Sequence, residues 1–524
     1  MNRDSIVELF CKSVDSGPER IALVADGRSF SYSELAFLAL KLAKTLDGRQ
    51  ASRRIGIYAH RTGVAYMGIL AALASGRTYV PLNPRFPPDR NDSIVRSAGV
   101  QQIILDNRFL GDDFIAKTNA ELIGVDLESE ESSDHDDSLE ESATLGAVLK
   151  EHRKQHESHA YIMFTSGTTG VPKGVPITHA NVIAYVANIL DLAELCSTDR
   201  CSQTFDLTFD LSVHDMFVCW AAGASLHVLP EKAVMAPAKF IKEHELTVWF
   251  SVPSTIGFMK KLRTLRPNAF PSLRCSWFCG EALPAESAEH WKAAAPNSFV
   301  ENLYGPTEAT IAFTAYRWSG DEEVAHLSGG YVPIGKPMGT LETIILDENH
   351  SPVESGKPGE LCLGGNQLSP GYWNNEDKTA EVFLQRTFEG RRHERWYRTG
   401  DLVKLNINGD IEFVGRIDNQ VKILGHRVEL GEIERAVRQA AGTELAAAIA
   451  WPRMGSTASG VVVFTCGGSD DVNQVMVDCA KTLAPYMVPK IIRKIDTFPM
   501  NANGKVDRRE LEKQLQNENK NGRE

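Results

Sequence analysis

The sequence predicts an α/β protein with a large N-terminal domain and a small C-terminal α+β domain, and three observations support this fold class. The 524 residues exceed what one hydrophobic core usually organises, so two or more domains are expected. Over the first 120 residues, short apolar segments alternate with helical ones, which is typical of α/β layers. After about residue 330 the pattern changes to strands joined by polar turns, and the last hundred residues have the pattern of a small α+β unit.

Individual elements follow from hydrophobic periodicity. Strands are predicted at IALVAD, RIGIYA and TYVPLN, and helices at YSELAFLALKLAKTL and GVAYMGILAALASG. AYIMF, at 160–164, is predicted to be a buried strand, and further βα units are predicted around SLHVLP, LTVWFSVP and LRCSWFCG. IEFVGRIDNQVKILGHRVELGEIERAV predicts a hairpin followed by a helix. We expect the final NENKNGRE to be disordered.

Composition excludes several classes of protein. The net charge of −12 argues against a nucleic-acid binder, which needs basic surface to neutralise phosphates. The acidic run at 126–141 is predicted to be a solvated loop. No stretch has the ~20 apolar residues of a membrane span, and MNRDSIVELF lacks the apolar core of a signal peptide. Nine cysteines without CxxC pairs then indicate reduced, buried thiols, so we expect a cytoplasmic protein.

FTSGTTGVPKG, at 164–174, is the first stretch suited to a particular chemistry. Its glycines let backbone N–H groups point into one concavity, and Lys173 adds a positive charge, so it is suited to binding phosphate. It follows the predicted strand AYIMF, and ligands bind at the carboxyl ends of strands in α/β sheets. The spacing is not that of a Walker loop, and a surface turn is the alternative.

Four further stretches carry side chains suited to a nucleotide. They are NLYGPTEAT (302–310), WYRTGDLV (396–403), GRIDNQVKILGHRVE (415–429) and PMNANGKVDR (499–508). Tyr304 can stack on a planar base, and Glu308 can bind a hard cation such as Mg2+, although a turn with a capping acid is the alternative. Asp401 follows a glycine turn and is suited to accepting ribose hydroxyls, and Lys505 follows an Asn-Gly turn.

Together and in this order, the five stretches resemble the motifs of the adenylate-forming enzymes, which include acyl-CoA ligases, firefly luciferase and the adenylation domains of nonribosomal peptide synthesis. The resemblance covers the chain from about Ser5 to Arg508. It implies an adenylation core at 1–417 and a small mobile lid at 418–524, with a hinge at Asp418. It also implies that ATP·Mg2+ and a carboxylate give an acyl adenylate and pyrophosphate. The acyl group then passes to the thiol of coenzyme A or of a carrier protein's phosphopantetheine.

The resemblance assigns roles to individual residues. The implied ATP-binding residues are Thr165, Ser166, Gly167, Thr168, Thr169, Lys173, Asn302, Tyr304, Asp401 and Arg416. Within this set Asn302 and Tyr304 would hold adenine, and Asp401 the ribose. The implied catalytic residues are Thr307 at the α-phosphate, Glu308 at magnesium, Lys505 between the substrate carboxylate and the α-phosphate, and Lys422, which enters for the second step.

Asp210, in FDLSV, indicates an amino acid substrate. In amino-acid-activating members of the family an aspartate at this position pairs with the α-ammonium group, and a buried carboxylate is costly unless a cation meets it. The alternative is that Asp210 only caps the following helix. The other implied pocket positions are Leu211, His214, Ser251, Trp277, Cys279, Gly280, Leu303, Ile311 and Ala312. Because Trp277 and Leu303 are bulky, we expect a small pocket.

Several stretches, including FCGEALP with its Cys279, look most similar to stand-alone D-alanine–carrier protein ligases. His214 and Trp277 depart from that pattern, so D-alanine, L-alanine, glycine, serine, threonine and proline all stay open as substrates. Because the chain stops shortly after Lys505, we expect a free-standing ligase that loads a separate carrier protein.

Two other functions stay open from the sequence. The first is an acyl-CoA ligase that acts on a carboxylic acid without an amino group. The second is an inactive nucleotide-binding module that regulates a partner, although the joint presence of Lys173, Glu308 and Lys505 argues against it.

Overall fold

A computed structural model describes residues 5–47, 53–127, 158–167, 172–234, 237–320, 327–418, 420–454, 457–500 and 506–521. The chain forms two compact units. The first comprises 1–84, 94–164 and 174–417, and the second comprises 85–93, 165–173 and 418–524. Helices and strands alternate along most of the first unit, which confirms the α/β class.

The described helices of more than three residues are α1 Val7–Ser16, α2 Tyr32–Asp47, α3 Gly63–Ala74, α4 Pro88–Ala98, α5 Asp113–Lys117, α6 His179–Ala193, α7 Leu211–Ala221, α8 Ala238–Glu243, α9 Ser254–Lys261, α10 Ala285–Ala294, α11 Glu376–Val382, α12 Leu430–Ala441, α13 Val472–Ala480 and α14 Arg508–Asn521.

The described strands are β1 Ile21–Ala25, β2 Arg28–Ser31, β3 Arg54–Tyr58, β4 Thr78–Leu82, β5 Gln102–Asp106, β6 Glu121–Val125, β7 His159–Thr165, β8 Lys173–Thr178, β9 Arg200–Gln203, β10 Ser225–Val228, β11 Val248–Ser251, β12 Cys275–Phe278, β13 Phe299–Tyr304, β14 Thr314–Trp318, β15 Lys336–Pro337, β16 Glu342–Leu346, β17 Gly359–Gly364, β18 Phe383–Gln385, β19 Arg395–Leu405, β20 Ile411–Arg416, β21 Gln420–Ile423, β22 His426–Glu429, β23 Leu445–Ala450, β24 Arg453–Met454, β25 Thr457–Ala458, β26 Val461–Cys466 and β27 Ile491–Lys494.

Two largely parallel sheets form the core of the first unit. The nine-stranded sheet has the order β15-β14-β13-β12-β11-β9-β10-β1-β2, and its strands from β1 to β13 in this order pair in parallel. The six-stranded sheet has the order β6-β5-β3-β4-β7-β8. The predicted strands of the first 120 residues are all present in these two sheets. Strands such as β4 and β5 are buried along their whole length, which suits strands covered on both faces.

Helices join the two sheets into one hydrophobic core. Helix α3 is buried at every position because its sequence is apolar on all sides. It packs on β3, β4 and β5 of the six-stranded sheet and on α2, which contacts β1 of the nine-stranded sheet. A separate antiparallel sheet, with the order β16-β17-β19-β18 and β20 paired to β19, holds the residues that follow 340.

The second unit contains a four-stranded sheet of order β22-β21-β25-β24 and a three-stranded sheet of order β23-β26-β27. Helix α12 buries Leu430, Ile433, Val437 and Ala441, which share one helical face, and it ends at Gly442 in the left-handed conformation. The predicted hairpin and helix are thus present as β21, β22 and α12.

The prediction of a disordered C-terminal tail is wrong over its first part, because α14 continues to Asn521. Leu511 and Leu515 lie one turn apart and are both buried in a cluster with Val462 and Phe464. Beyond these two leucines the helix also carries Glu518, which forms an ion pair with Arg493. None of the described helices is both long and apolar enough to cross a lipid bilayer.

Candidate active site

Asp210 lies immediately before α7 and is buried, with 3% of its surface exposed. Its side chain makes no capping hydrogen bond to the helix, so the capping alternative is not supported. Burial raises the pKa of Tyr79 and Tyr161, and the nearby charge of Asp210 raises it further. Burial raises the pKa of Tyr185, and Cys279 and Asp210 act in the same direction. Two predicted pocket residues, Asp210 and Cys279, thus both act electrostatically on the Tyr185 phenol.

His214, on α7, is the centre of a cluster of rings. Its Nδ1 atom lies 2.6 Å from the hydroxyl of Tyr185 on α6. The His214 ring lies 4.2 Å from the ring centre of Phe250 and 4.8 Å from that of Trp277, which it meets edge-on at 83°. Complete burial lowers the pKa of His214 to about 3, so its imidazole is neutral at physiological pH. Tyr185 and Phe250 were not among the predicted residues, and their apolar sequence context gives no signal of a site.

Trp277 is fixed from the other side by a residue that the sequence did not single out. Its indole Nε1 donates a hydrogen bond of 2.9 Å to Oε2 of Glu301, which lies opposite it on the neighbouring strand. Because side chains two residues apart on a strand share one face, Leu303 lies on the same face as Glu301. Trp277 and Leu303 are both buried, as expected for the wall of a small pocket.

The remaining predicted pocket residues lie at the start of α7, at or just after strand ends, and in the turn after β13. Leu211 is the first residue of α7, Ser251 the last of β11, and Gly280 follows β12 with φ of 90°. Ile311 has φ of 72°, an unusual value for a β-branched residue, and Ala312 follows it. A Cβ atom at Gly305 would lie 2.6 Å from the Cα atom of Ala312, so the turn closes tightly on itself.

The segment after β17 braces this turn. The Gln367 side chain donates to the backbone oxygen of Ala312 at 2.8 Å, and the Thr310 hydroxyl donates to the backbone oxygen of Gln367 at 2.5 Å. The Ser369 backbone N–H donates to the backbone oxygen of Glu308. The strained backbone at Ile311 is thus held by contacts from residues more than fifty positions away.

Three predicted nucleotide-binding residues lie in direct contact although they are distant in sequence. The Tyr304 hydroxyl, at the end of β13, donates to Oδ2 of Asp401. Arg416 pairs with the other oxygen of Asp401 across the β19–β20 register. The Asn302 amide donates to the backbone oxygens of Val332 and Pro333, at 3.2 and 2.9 Å. Asp401, on β19 of the antiparallel sheet, therefore lies between a phenol and a guanidinium group, and its contact with Tyr304 links it to β13 of the nine-stranded sheet, which also carries Asn302.

Glu308 is completely buried in the short turn Thr307–Ala309, in which Thr307 is half-buried. The Tyr372 hydroxyl donates to Oε1 of Glu308 at 2.6 Å, a contact that the sequence did not predict. Among the described residues, no group of three His, Cys, Asp or Glu side chains could hold a metal ion by itself. Magnesium, however, is usually held by one or two carboxylates together with substrate phosphates, so a single fixed carboxylate such as Glu308 fits that ion.

The described part of the phosphate loop belongs to the second unit and contacts carboxylates there. Thr165, half-buried, ends β7. Ser166 accepts from the backbone N–H of Glu429 at 3.1 Å, and the Gly167 N–H donates to Oε2 of Glu432 at 3.3 Å. Lys173 Nζ lies 3.6 Å from Oε1 of Glu429. The loop groups predicted to bind phosphate thus lie beside acidic side chains of the same unit.

The other predicted residues of this region are only partly described. Lys422 lies on β21 opposite Arg427, and the Asp418 carboxylate accepts from the backbone N–H of Gln420 at 3.1 Å, as a turn acid does. Thr168, Thr169 and Lys505 lie outside the described residues, as does the acidic run beyond residue 127. All nine cysteines are free thiols, and seven of them are buried.

Comparisons with known proteins identify the family. One of the linear gramicidin synthase proteins of Brevibacillus parabrevis is 34% identical over 97% of this chain, and surfactin synthase subunit 2 of Bacillus subtilis is 32% identical over 97%. The chain spans only 10% and 14% of the length of these relatives.

A crystal structure of the Vibrio cholerae adenylation domain AlmE, in complex with glycyl-adenosine-5'-phosphate, is 33% identical to this chain. It superimposes with a TM-score of 0.86 and covers 99% of this chain and 98% of that one. The resemblance to the adenylate-forming superfamily is therefore confirmed, whereas no comparison tests the similarity to D-alanine–carrier protein ligases. Because the family model for AMP-binding enzymes matches residues 10–373, well over half of the sequence, the chain belongs to the family of AMP-binding enzymes.

Proposed function

We propose that this chain activates a small amino acid with ATP, releasing pyrophosphate, and passes the aminoacyl group to the phosphopantetheine thiol of a separate carrier protein. The observation that carries the proposal is the carboxylate of Asp210, which is buried and acts electrostatically on the phenols of Tyr79, Tyr161 and Tyr185. A substrate ammonium group would meet this carboxylate with the opposite charge at low dielectric, where such a pair is strongest.

The walls of the site favour a small, uncharged side chain. Trp277 and Leu303 take up space, and His214 is neutral, so it offers no charge to an acidic side chain. Glycine fits this description best, and alanine differs from it by a single methyl group. The complex of the similar Vibrio cholerae adenylation domain with glycyl-adenosine-5'-phosphate supports a substrate of this size.

At the nucleotide end, Asp401 would accept the ribose hydroxyls while Arg416 and Tyr304 hold its carboxylate in place. Asn302 and Tyr304 would flank the adenine. The phosphate chain would be held by Lys173, by the N–H of Gly167 and by the hydroxyls of Thr165, Ser166, Thr168 and Thr169. Magnesium, when bound, supplies charge neutralisation for the phosphates, and Glu308, held by Tyr372, would be its protein ligand.

The proposed reaction has two steps. First, a carboxylate oxygen of the amino acid attacks the α-phosphorus, and the bond to the β-phosphate oxygen breaks. Thr307 and Lys505 would stabilise the charge at the α-phosphate in this step. Second, the carrier thiol loses its proton and its sulfur attacks the acyl carbon, so that AMP leaves and a thioester forms. A hinge at Asp418 would exchange Lys505 for the face that carries Lys422 between the steps.

The test is ATP–pyrophosphate exchange measured with a panel of acids. The panel contains the proteinogenic amino acids, D-alanine, and several fatty and aryl acids. Exchange that depends on glycine or alanine supports the proposal. If exchange occurs only with acids that lack an amino group, the proposal is wrong and the chain would be an acyl-CoA ligase. Transfer is tested separately, by mass spectrometry of a phosphopantetheinylated carrier protein.

A further inference from the structure

We propose that Glu301, held by Arg317, is a positioning residue that fixes the indole of Trp277 and thereby limits the size of the substrate side chain. The inference rests on the proposed function, because it takes Trp277 to be part of the wall of the amino acid pocket.

Glu301 lies at the centre of a row that crosses three strands. Trp277 on β12 is opposite Glu301 on β13, and Glu301 is opposite Arg317 on β14. Arg317 Nε donates to Oε1 of Glu301 at 2.9 Å, while the Trp277 indole donates to Oε2 at the same distance. Each carboxylate oxygen therefore has its own donor, so one side chain ties the indole to the guanidinium group.

The surroundings make this row stiff. The Glu301 side chain is 3% exposed, and burial raises its pKa while Trp277 and Arg317 act against that rise. Arg317 is itself anchored, because its Nη2 donates to the backbone oxygen of Leu192 and its guanidinium lies 4.1 Å from the centre of the Phe299 ring. If the Trp277 ring turned away, a buried N–H and a buried carboxylate oxygen would both lose a hydrogen bond.

Trp277 meets the substrate side of the site through His214. The two rings are in edge contact, and His214 is anchored at its far side by Tyr185. The rings of His214 and Trp277 are thus each held by one hydrogen bond, with Tyr185 at one end of the pair and with Glu301 at the other. A larger amino acid side chain could enter the pocket only if these two rings moved. Glu301 opposes that movement because it holds Trp277, although it does not touch the substrate.

The test compares two substitutions at one position. Glu301→Leu removes both acceptors, whereas Glu301→Gln keeps an oxygen that can accept from the indole. Glu412→Leu is the matched control, because Glu412 is also a buried carboxylate in a cross-strand pair, with Lys404, but in another sheet. Each protein is labelled with 5-fluorotryptophan, and Trp277→Phe assigns the Trp277 resonance. Pyrophosphate exchange is measured with glycine, alanine, valine and leucine.

In Glu301→Leu we expect the Trp277 fluorine resonance to shift or broaden, and the ratio of kcat/KM for valine to that for glycine to rise about tenfold or more. In Glu301→Gln and Glu412→Leu both readouts should stay near wild type. An unchanged Trp277 resonance in folded Glu301→Leu overturns the inference whatever the activity. A changed resonance with an unchanged substrate ratio also overturns it. If the wild type exchanges with no amino acid, the proposed function fails first, and the limit on substrate size falls with it.

Discussion

The proposed amino acid pocket and the predicted phosphate-binding loop are held by different forces. Around His214, neutral rings, one phenol and the buried row through Glu301 fix each side chain by packing and by short hydrogen bonds. Around Lys173, contacts pair charged or polar loop groups with the carboxylates of Glu429 and Glu432. The first region belongs to the first unit and the second region to the second unit.

This difference sets what each region can do. The packed rings of Tyr185, His214, Phe250 and Trp277, which we call the ring wall, have one low-energy arrangement. They can therefore exclude substrate side chains above a certain size. A lysine that pairs with a carboxylate can also pair with a phosphate, so such contacts suit a loop that is proposed to bind and release phosphates. A substitution in the ring wall should therefore change substrate choice, and a substitution in the loop should change the affinity for ATP.

The largest expected effect is at Asp210, the proposed partner of the substrate ammonium group. Asp210→Asn keeps the shape of the side chain and removes its charge, so the substrate ammonium loses its partner. We expect kcat/KM for the amino acid to fall about 150- to 4,000-fold, as when one member of a buried ion pair is removed, which costs about 3–5 kcal/mol. Pyrophosphate exchange measures the loss, and the KM for ATP should change little.

Asp206→Asn is the matched control for this prediction. Asp206 lies four residues earlier in the same loop, and its carboxylate accepts from Asn83 and Thr208 at 2.8 and 2.9 Å. Equal losses in the two variants would mean that Asp210 acts by shaping the loop and not by pairing with an ammonium group.

A smaller effect is expected where a neutral phenol holds a carboxylate. Tyr372→Phe removes the donor to Glu308, and hydrogen bonds to charged groups contribute about 1.5–3 kcal/mol. We expect the magnesium concentration for half-maximal exchange to rise about tenfold, while the KM for the amino acid stays constant. Tyr66→Phe is the control, since the buried Tyr66 hydroxyl has no hydrogen-bond partner among the described residues. A matching rise in that variant would contradict the assignment of Glu308 to the metal.

Features that depend on local sequence could be predicted, whereas contacts between residues distant in sequence could not. The strands and most helices were predictable because hydrophobic periodicity is local, as in the wholly apolar α3. Asp210, Tyr304, Glu308 and Asp401 could be named as candidates because each lies in a short motif that the sequence alone displays. Tyr185, Glu301 and Tyr372 were not found, because their partners lie 29, 24 and 64 residues away and are set by packing and strand register.

The burial of His214 should also make the stability of the protein depend on pH. An unfolded histidine takes up a proton below about pH 6.5, whereas folded His214 stays neutral until about pH 3. The unfolded state then binds more protons in this window, so the contribution of His214 to stability falls as the pH drops, by about 1.4 kcal/mol at pH 5.5. Urea unfolding of wild type and His214→Gln at pH 7.5 and 5.5 measures the difference.

The raised pKa of Glu301 acts in the opposite direction, since the contribution of Glu301 to stability falls as the pH rises above its pKa in the unfolded state. This effect is present in both wild type and His214→Gln, so it cancels in the comparison. Ring-labelled histidine NMR gives a second measurement: the His214 resonance should not titrate between pH 8 and 5. Titration of that resonance near pH 6.5 would mean that the ring wall is open to water.

The smallest expected effect lies in the phosphate loop. Glu429→Gln removes the negative charge that lies 3.6 Å from Lys173, while both side chains are largely buried, at 7% and 12% exposed. Lys173 is then left without this competing carboxylate, so the KM for ATP should fall about two- to fivefold, which corresponds to about 0.4–1 kcal/mol. Glu434→Gln, on the helix that follows Glu429, is the control, because Glu434 pairs with Arg508. The advantage of Glu429→Gln should change little as salt is raised, since salt screens a largely buried charge pair only weakly. A higher KM for ATP in Glu429→Gln would instead show that Glu429 holds Lys173 in its binding position, and the loop would then be as preorganised as the ring wall.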